Sequence, residues 1–548
     1  SIVDLSPAGN QPMESACRRY LVVLNGEIYN FGALRRELED LGHSFRGHSD
    51  TEVMLAATSK WGLEEALKRF NGMFAFALWD RHERALHLVR DRLGEKPLYY
   101  GWIDDVCVFA SELKAFHAYP GFRGEIDRDA VALYLRHNYV PAPLSIYRGV
   151  YKLPAATILS MTEKTVGSAP KPASYWSVRE VAERGVADPM TGHENDIVAE
   201  LHELLKDAVA LRMEAEVPLG AFLSGGVDSS TVVALMQAQS RTPVRTFSIG
   251  FYEDDYNEAE DAKAVARRLG TEHTELYVTP DEAMAVIPHL PTLYDEPFAD
   301  SSQIPTFLIS QLARRDVTVA LSGDGGDELF GGYDRYLWGR RIWGKIRWCP
   351  APVRRTAGNL LTLLSPAVWD RGYSSAAALL PPRLRQRNPG EKVHKLAEIL
   401  SAESADAMYL SLVSHSKEPT LLVPGSSEPT TTLTDRKEWA KLADFTQRMQ
   451  YLDTVTYLPD DILVKLDRAS MGVSLEARVP LLDHRVVEWA WRIPVSLKFH
   501  RRASKWLLRQ VLYHYVSKDI IERPKMGFGV PIGKWLRGPL RHWAESLL

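Results

Sequence analysis

Two glycine-rich stretches in the second half of the chain carry side chains suited to phosphate chemistry. The first, SGGVDSS (224–230), follows the apolar run GAFL and opens a helical pattern, TVVALM. Gly225 and Gly226 let the backbone approach a phosphate closely, and N–H groups and hydroxyls at a helix start bind one. Ser224, Ser229 and Ser230 supply the hydroxyls, and Asp228 offers a hard oxygen to a cation. No Gly-Lys-Ser/Thr follows, so this is not a Walker A loop; on its own the stretch is equally a flexible turn. The second stretch, SGDGGDELFGGY (322–333), is another strand-to-helix loop. One such loop is ordinary punctuation, whereas two at the ends of parallel strands converge on one crevice. In the first half, LNGEIYN (24–30) sets Asn25, Gly26 and Glu27 at the tip of an apolar strand. A side-chain amide and a backbone N–H facing a ligand there make an oxyanion-hole inventory, and a plain hairpin turn is the competing reading of Asn-Gly. Asp50 and Glu52 in GHSDTEV by themselves mark a helix N-terminus.

The elements that must position these residues fall into two patterns. YLVVLNGEIYN, MFAFALWD, ALHLVRD, LYYGW and VCVFAS are short strand-like runs bounded by turn signals, and NFGALRRELEDLG reads as a helix with Leu34, Leu38 and Leu41 on one face. Mostly strands with a few helices predicts an α+β first domain, residues 1–165, with stacked sheets. From about residue 196 to 548 strand and helix alternate, which predicts an α/β domain built on a parallel sheet. MTEKTVGSAPKPASYW (161–176) reads as the end of one domain plus a linker over 166–195, and HSKEPTLLVPGSSEPTTTL (415–433) as a surface loop. Residues 356–450 read as irregular helices.

Bulk composition narrows the function classes. A chain of 548 residues exceeds one core and holds two or three domains. With 45% hydrophobic and 25% charged residues and a net charge of -4, it reads as globular without a nucleic-acid bias. Cys17, Cys107 and Cys349 form no CxxC and no even set, so a reducing cytoplasm fits. No window of about 18 consecutive apolar residues predicts a membrane span. The sixteen histidines include no HExxH, which argues against a zinc site. RRIWGKIRWCPAPVRR (340–355) is basic and aromatic, a pattern for a nucleic acid, a membrane surface, or a solvated helix with its tryptophans anchored in the core. The slightly acidic overall balance favours the last.

In order along the chain, SIVDLS…QPM, LNGEIYN, SDTEV, FNGMFAFALWD and RDRLGEKPLYY resemble the class II glutamine amidotransferase domain of glutamine-hydrolysing asparagine synthetases, an N-terminal nucleophile hydrolase fold. SGGVDSS resembles the pyrophosphate loop of ATP pyrophosphatases, and LPDDILVKLDRASMGVSLEARVPLLD (458–483) and SKWLLRQ (504–510) resemble further signatures of the same synthetase family. The resemblance covers nearly the whole chain. It implies that Ser1, Ile2 and Val3 line a glutamine site, that Asn25 and Gly26 form its oxyanion hole, that Glu27 contacts substrate and that Asp50 meets the α-amino group. The family's N-terminal cysteine nucleophile and the arginine before this SIVD segment have no counterpart here, so the chain as written is expected not to hydrolyse glutamine. Cys17, with no paired base, reads as a small buried hydrophobe.

For the second domain the resemblance implies magnesium on Asp228 and Asp327, adenine against Phe222 or Leu223 and Ile249 with Ser248 nearby, and nucleotide contacts from Ser322 and Gly323. Asp324 stands where relatives carry Glu, at a position needed for acyl-adenylate formation. Lys505 is expected to neutralise the α-phosphate, a surface lysine being the alternative. Lys465, Asp467, Arg468, Glu476, Arg478 and Asp483 read chiefly as salt-bridged framework. The implied reaction consumes magnesium ATP and a carboxylate, most simply aspartate, releases pyrophosphate and AMP, and takes nitrogen from glutamine or ammonia. Amidation of another carboxylate such as a sugar acid of surface polysaccharides, a β-lactam synthetase-like reaction, and a silent nucleotide-binding scaffold are the alternatives. YDEPFADSSQIPTF (294–307), with Asp300, occupies the acceptor-selecting region. A homodimer stays open.

Overall fold

Valine, leucine and aromatic residues recur between turn signals through the first part of the chain and build strands there. The computed structural model describes residues 2–163, 171–252, 257–377, 389–500, 503–522, 530 and 532–547. Its strands in this part are β1 (Met13–Glu14), β2 (Tyr20–Ile28), β3 (Gly72–Asp80), β4 (Ala85–Arg90), β5 (Tyr99–Ile103), β6 (Val106–Ala110), β7 (Val150–Lys152), β8 (Thr157–Thr162) and β9 (Ala173–Ser174). They form an antiparallel sheet in the order β1-β2-β3-β4-β8-β9 and a smaller one, β6-β5-β7. The two sheets stack through Ala75, Ala77, Leu88, Leu159, Tyr100 and Trp102. On the other face of the larger sheet, Val22, Phe74 and Phe76 pack under the helices Phe31–Asp40 and Asp50–Trp61. Leu34 and Leu38 are buried in that layer as their spacing requires, whereas Leu41 caps its helix and stays exposed.

Asn25-Gly26 is not a turn. It lies within β2, which pairs with β3 through nine residues, Gly26 opposite Phe74. Gly26 has φ +135°, and a Cβ there would stand 2.1 Å from the Met73 carbonyl oxygen. The long paired register overrides the local preference of the dipeptide, and only glycine tolerates the approach. Cys17, in the connection from β1 to β2, is exposed rather than buried. That tight turn carries it away from both cores.

The second part is built on five parallel strands, β10 (Leu219–Phe222), β11 (Arg245–Phe251), β12 (Glu272–Val278), β13 (Val319–Leu321) and β14 (Glu476–Arg478), in the order β12-β11-β10-β13-β14. Strands this short and apolar are stable in parallel because helices cover both faces. The helices Glu194–Arg212, Val227–Gln239 and Trp506–Leu512 share one core, and Gln303–Arg314 packs Ile304, Leu308 and Ile309 on Phe247 and Ile249 from the other side. Within 166–195 the described residues include β9 and the helix Val178–Ala187, which buries Val178, Val181 and Ala182. Gly185 of this helix meets Trp491 so closely that a Cβ would lie 2.8 Å from its backbone. The 415–433 stretch is pinned to the helix Arg128–His137, with Arg136 donating to Glu428 at 2.7 Å and Ser427 N to Asp129 at 2.7 Å.

Buried charge joins the two parts. Lys96 Nζ meets Asp467 at 3.0 Å, and Asn71 Nδ2 donates to Asp483 at 2.7 Å beside Arg212 at 3.0 Å. Among the described residues no helix is long and apolar enough to cross a membrane. The tryptophans of the basic stretch are not all anchored in the core: Trp343 is half-buried under Arg354, but Trp348 faces solvent, as does Trp338 just before the stretch. Their helix spends its buried face on Tyr336 and Gly339 instead.

Candidate active site

Strands β10 and β13 are neighbours, but the chain leaves β10 for β11 on one side and leaves β13 toward the opposite edge. Loops diverging from adjacent parallel strands open a crevice at their carboxyl ends. Leu223–Gly226 runs from β10 into the helix Val227–Gln239, and Ser322–Gly325 from β13 into the short helix Gly326–Phe330. Glycines let the two loops touch. A Cβ on Gly323 would lie 2.6 Å from Ser229 N, one on Gly326 2.4 Å from Asp228 Oδ1, and one on Gly225, at φ +74°, 2.8 Å from Ala262 N. Between the loops lies a cavity of about 850 Å³.

Phe222, Leu223 and Ile249 form an apolar part of its wall, and Ser224, Gly225, Gly226, Asp228 and Ser229 form the first loop's edge. Ser322, Gly323, Asp324 and Asp327 line the second edge, and Lys505 closes the end. Ser224 Oγ and Ser229 Oγ lie 3.0 Å apart, and Ser224 N donates to Ser229 Oγ at 3.2 Å, a hydroxyl pair held at a helix start. Two residues of the sequence-derived set stand apart. Ser248 alternates to the opposite side of β11 from Ile249 and bonds His273 at 3.1 Å, and Ser230 is fully buried within its helix.

Lys505 is the electrostatic centre. Its ammonium bridges Asp228 and Asp327, contacting Asp327 Oδ1 at 2.6 Å. Burial works against its charge, and the two carboxylates more than reverse that, raising its pKa above the ordinary lysine value. The residue sits at φ +54°, ψ +34° at the head of the helix Trp506–Leu512, a left-handed conformation that costs a side-chain-bearing residue roughly 1 kcal/mol. This backbone aims the ammonium back into the cavity. Gly332 makes room for it: a Cβ there would lie 1.9 Å from Asp327 Oδ1 and 1.9 Å from Lys505 Cε. Gly332→Ala should therefore push Lys505 off Asp327, a loss of the ion pair that a crystal structure of the variant reads directly, with circular dichroism unchanged; an intact Lys505–Asp327 contact in the variant would contradict this geometry.

Behind these groups the cavity holds a second charged set. Lys465 Nζ meets Asp300 Oδ2 at 2.7 Å, and Ser302 donates to Asp300 through N and Oγ at 2.8 and 2.7 Å. Burial would raise the Asp300 pKa, yet Lys465 and Ser302 hold it down at about 2. Asp324 is pushed up by burial, partly relieved by Lys465 and by the Ser322 hydroxyl, which donates to it at 2.6 Å. Sequence reasoning placed Lys465 in salt-bridged framework; the structure pairs it with Asp300 and puts it in the cavity wall. Glu328 and Tyr333, which also line the cavity, were missed. Tyr333 donates to Glu328 at 2.7 Å, and burial together with Asp327 pushes Glu328 up to about 7. Asp467, Arg468, Glu476, Arg478 and Asp483 bond protein partners as framework does: Arg468 donates to the Ser111 carbonyl at 2.9 Å, and Arg478 meets Glu476 at 2.7 Å.

In the first part, Asn25 Nδ2 donates to Ser111 Oγ at 3.1 Å and Asp50 accepts from Ile28 N at 2.8 Å. Burial raises the pKa of both Glu27 and Asp50, and the charge of Asp50 raises that of Glu27 further. Val3 is buried, and the Ile2 carbonyl accepts from Glu216 N at 3.3 Å. Ser1 lies outside the described residues.

The profile of the family Asparagine synthase matches residues 200–548, and that of the family Glutamine amidotransferase domain matches residues 1–176. The chain is 33% identical to asparagine synthetase [glutamine-hydrolyzing] 1 of Bacillus subtilis over 100% of its own length and 81% of that protein's. It is 36% identical to a putative asparagine synthetase [glutamine-hydrolyzing] of Mycobacterium bovis with the same coverage, 100% and 81%. A putative asparagine synthetase [glutamine-hydrolyzing] 2 of Methanocaldococcus jannaschii is 38% identical over 62% of this chain and 67% of its own. With two glycine-rich strand-end loops, paired carboxylates and a bridging lysine in one crevice and these similarities along its length, the chain belongs to the asparagine synthase family.

Proposed function

We propose that the protein is a carbon–nitrogen ligase that converts aspartate to asparagine at the expense of ATP. The observation that carries this reading is the meeting of Asp228 and Asp327, from two strand-end loops, on the buried ammonium of Lys505 in one cavity. The adenine lies against Phe222, Leu223 and Ile249, while the Ser224–Ser229 hydroxyls and the N–H groups of Gly225 and Gly226 hold the pyrophosphate end.

The acceptor carboxylate attacks the α-phosphorus, the bond to the bridging oxygen breaks, and pyrophosphate departs. Lys505 neutralises charge as it builds on the α-phosphate. Ammonia then attacks the acyl carbonyl, AMP leaves with the bonding pair, and a proton is lost from nitrogen. Asp324, beside Ser322 and Lys465, faces the acyl-adenylate.

Asp228 and Asp327 are a fitting donor pair for Mg²⁺, which takes one or two carboxylates and completes its shell with phosphate oxygens and water. The described residues contain no group of three or more His, Cys, Asp and Glu arranged as a metal site. When bound, Mg²⁺ supplies charge neutralisation on the leaving pyrophosphate.

We assign the ligase to residues 196–548 and glutamine binding to residues 1–165 through Ile2, Val3, Asn25, Gly26, Glu27 and Asp50, with 166–195 between them. The three scattered cysteines fit a cytoplasmic setting. The test is pyrophosphate release with magnesium ATP and aspartate, supplied in parallel with ammonium or with glutamine. Release with ammonium supports the ligase, and binding of glutamine that Asn25→Ala or Asp50→Ala weakens, with no release of glutamate, supports the second assignment. Release with neither nitrogen donor would overturn the reading in favour of another acceptor or a silent nucleotide binder.

A further inference from the structure

The helix Asp334–Ile346 buries Tyr336 and Gly339 and turns its opposite face to solvent. On that face Trp338 is 58% exposed, Arg341 and Lys345 are exposed, and Trp348, in the turn just beyond, is 78% exposed. Positions 338, 341, 345 and 348 follow the three- and four-residue steps that place side chains in one stripe along a helix. Arg340 and Arg347 flank it, both exposed.

The charge in this stripe is unspent. Arg335, on the inner side, pairs with Asp453 at 2.9 Å, and Arg355 with Glu403 at 3.0 Å. Among the described residues none supplies a carboxylate to Arg340, Arg341, Lys345 or Arg347. Arg347 instead lies over the Trp348 ring at 4.8 Å. The next helix, Ala351–Thr362, is tied to this one by Arg354, whose guanidinium lies over Trp343 at 5.3 Å and donates to the Cys349 carbonyl. It exposes Val353 and Leu360, and Leu363 follows at 76%. In a chain of net charge -4 this basic, apolar face is a local exception.

Exposed tryptophan and leucine beside unpaired arginine and lysine match the chemistry of a bilayer interface, where indole rings sit at headgroup depth and cations meet lipid phosphates. We propose that this face docks the protein onto an anionic membrane surface. A two-fold contact with a second copy fits worse, because a self-complementary patch would set these cations against their own kind. Nucleic acid would satisfy the arginines equally and is the competing occupant that the test below separates. Leu337, next to Trp338, lines the cavity described above, so docking would bring the cavity rim within one helical turn of the lipid.

The test uses purified full-length chain sedimented with vesicles of phosphatidylcholine alone or mixed with phosphatidylglycerol, at low and high salt. The expected result is co-sedimentation with anionic vesicles only, weakened by salt. Arg341→Glu with Lys345→Glu, and separately Trp338→Ser with Trp348→Ser, should each weaken it about tenfold or more without changing pyrophosphate release. Absence of binding to anionic vesicles, or equal binding by both double variants, would overturn the proposal. So would displacement from vesicles by an oligonucleotide at equal phosphate concentration, or a dimer in solution that the same substitutions dissociate.

Discussion

Pyrophosphate release by Lys505→Ala falls about 10²- to 10³-fold, the usual loss when one preorganised charge is removed from a developing anion. The effect is large because the charge is buried: Lys505 is 5% exposed and lies between two carboxylates. Without the ammonium, Asp228 and Asp327 face the incoming polyphosphate with their charges uncompensated. The variant should consequently need less Mg²⁺ for half-maximal rate, because no ammonium competes for the two carboxylates, a shift that a purely structural role for Lys505 would not produce. Single-turnover adenylation measured across a magnesium series reads both quantities. An unchanged rate at every magnesium concentration would remove Lys505 from the chemistry.

Asp483→Ala should cost about 3–5 kcal/mol of stability, because it leaves a buried charge without its counterpart. Asp483 is fully buried and accepts from Asn71 at 2.7 Å, from Arg212 at 3.0 Å and from Arg485 at 2.9 Å. It also caps the helix His484–Trp491 through Arg485 N at 3.0 Å. Burial alone would raise its pKa, but Arg212, Arg485 and Asn71 reverse that and hold it well below the usual carboxylate range. A depressed carboxylate contributes stability that is fully present above its unfolded pKa of about 3.9 and is lost as the pH falls below it. Wild-type protein should accordingly lose stability from about pH 5 downward. Asp483→Asn keeps the shape but should lower the neutral-pH melting temperature and flatten that part of the acid limb. Thermal unfolding at pH 7, 5 and 4 (about one unit around the ordinary carboxylate pKa) checks both; an unaltered midpoint in Asp483→Ala would show that Arg212 finds another partner.

Much of the site was readable because it is local. A strand, two glycines, a hydroxyl and a carboxylate lie together in and just before SGGVDSS, so the loop's shape follows from one turn of backbone, and the same holds for SGDGGDELFGGY. Side-chain direction was less readable. Ser248 and Ile249 are neighbours, yet strand alternation sends only the isoleucine to the cavity, while Ser248 goes to His273. Lys465 was assigned to framework because nothing in its own stretch reveals Asp300, 165 residues away, as its partner. Asn25-Gly26 misled as a turn signal because the dipeptide preference is small beside nine paired residues of β2 and β3. Trp348 misled in the opposite sense, since hydrophobicity alone does not say which aromatic side chain finds a core.

The sequence by itself determined the alternation that makes one sheet parallel and the two glycine-rich strand-end loops with their hydroxyls and carboxylates, because each depends on neighbours within a few positions. Only the tertiary structure decided that Lys505 stands between Asp228 and Asp327, that Lys465 faces the cavity, and that Asp483 ties Asn71 to Arg212. These contacts join residues far apart in the chain, and their energy comes from burial and charge pairing that exist only once the strands are in register and the helices are docked.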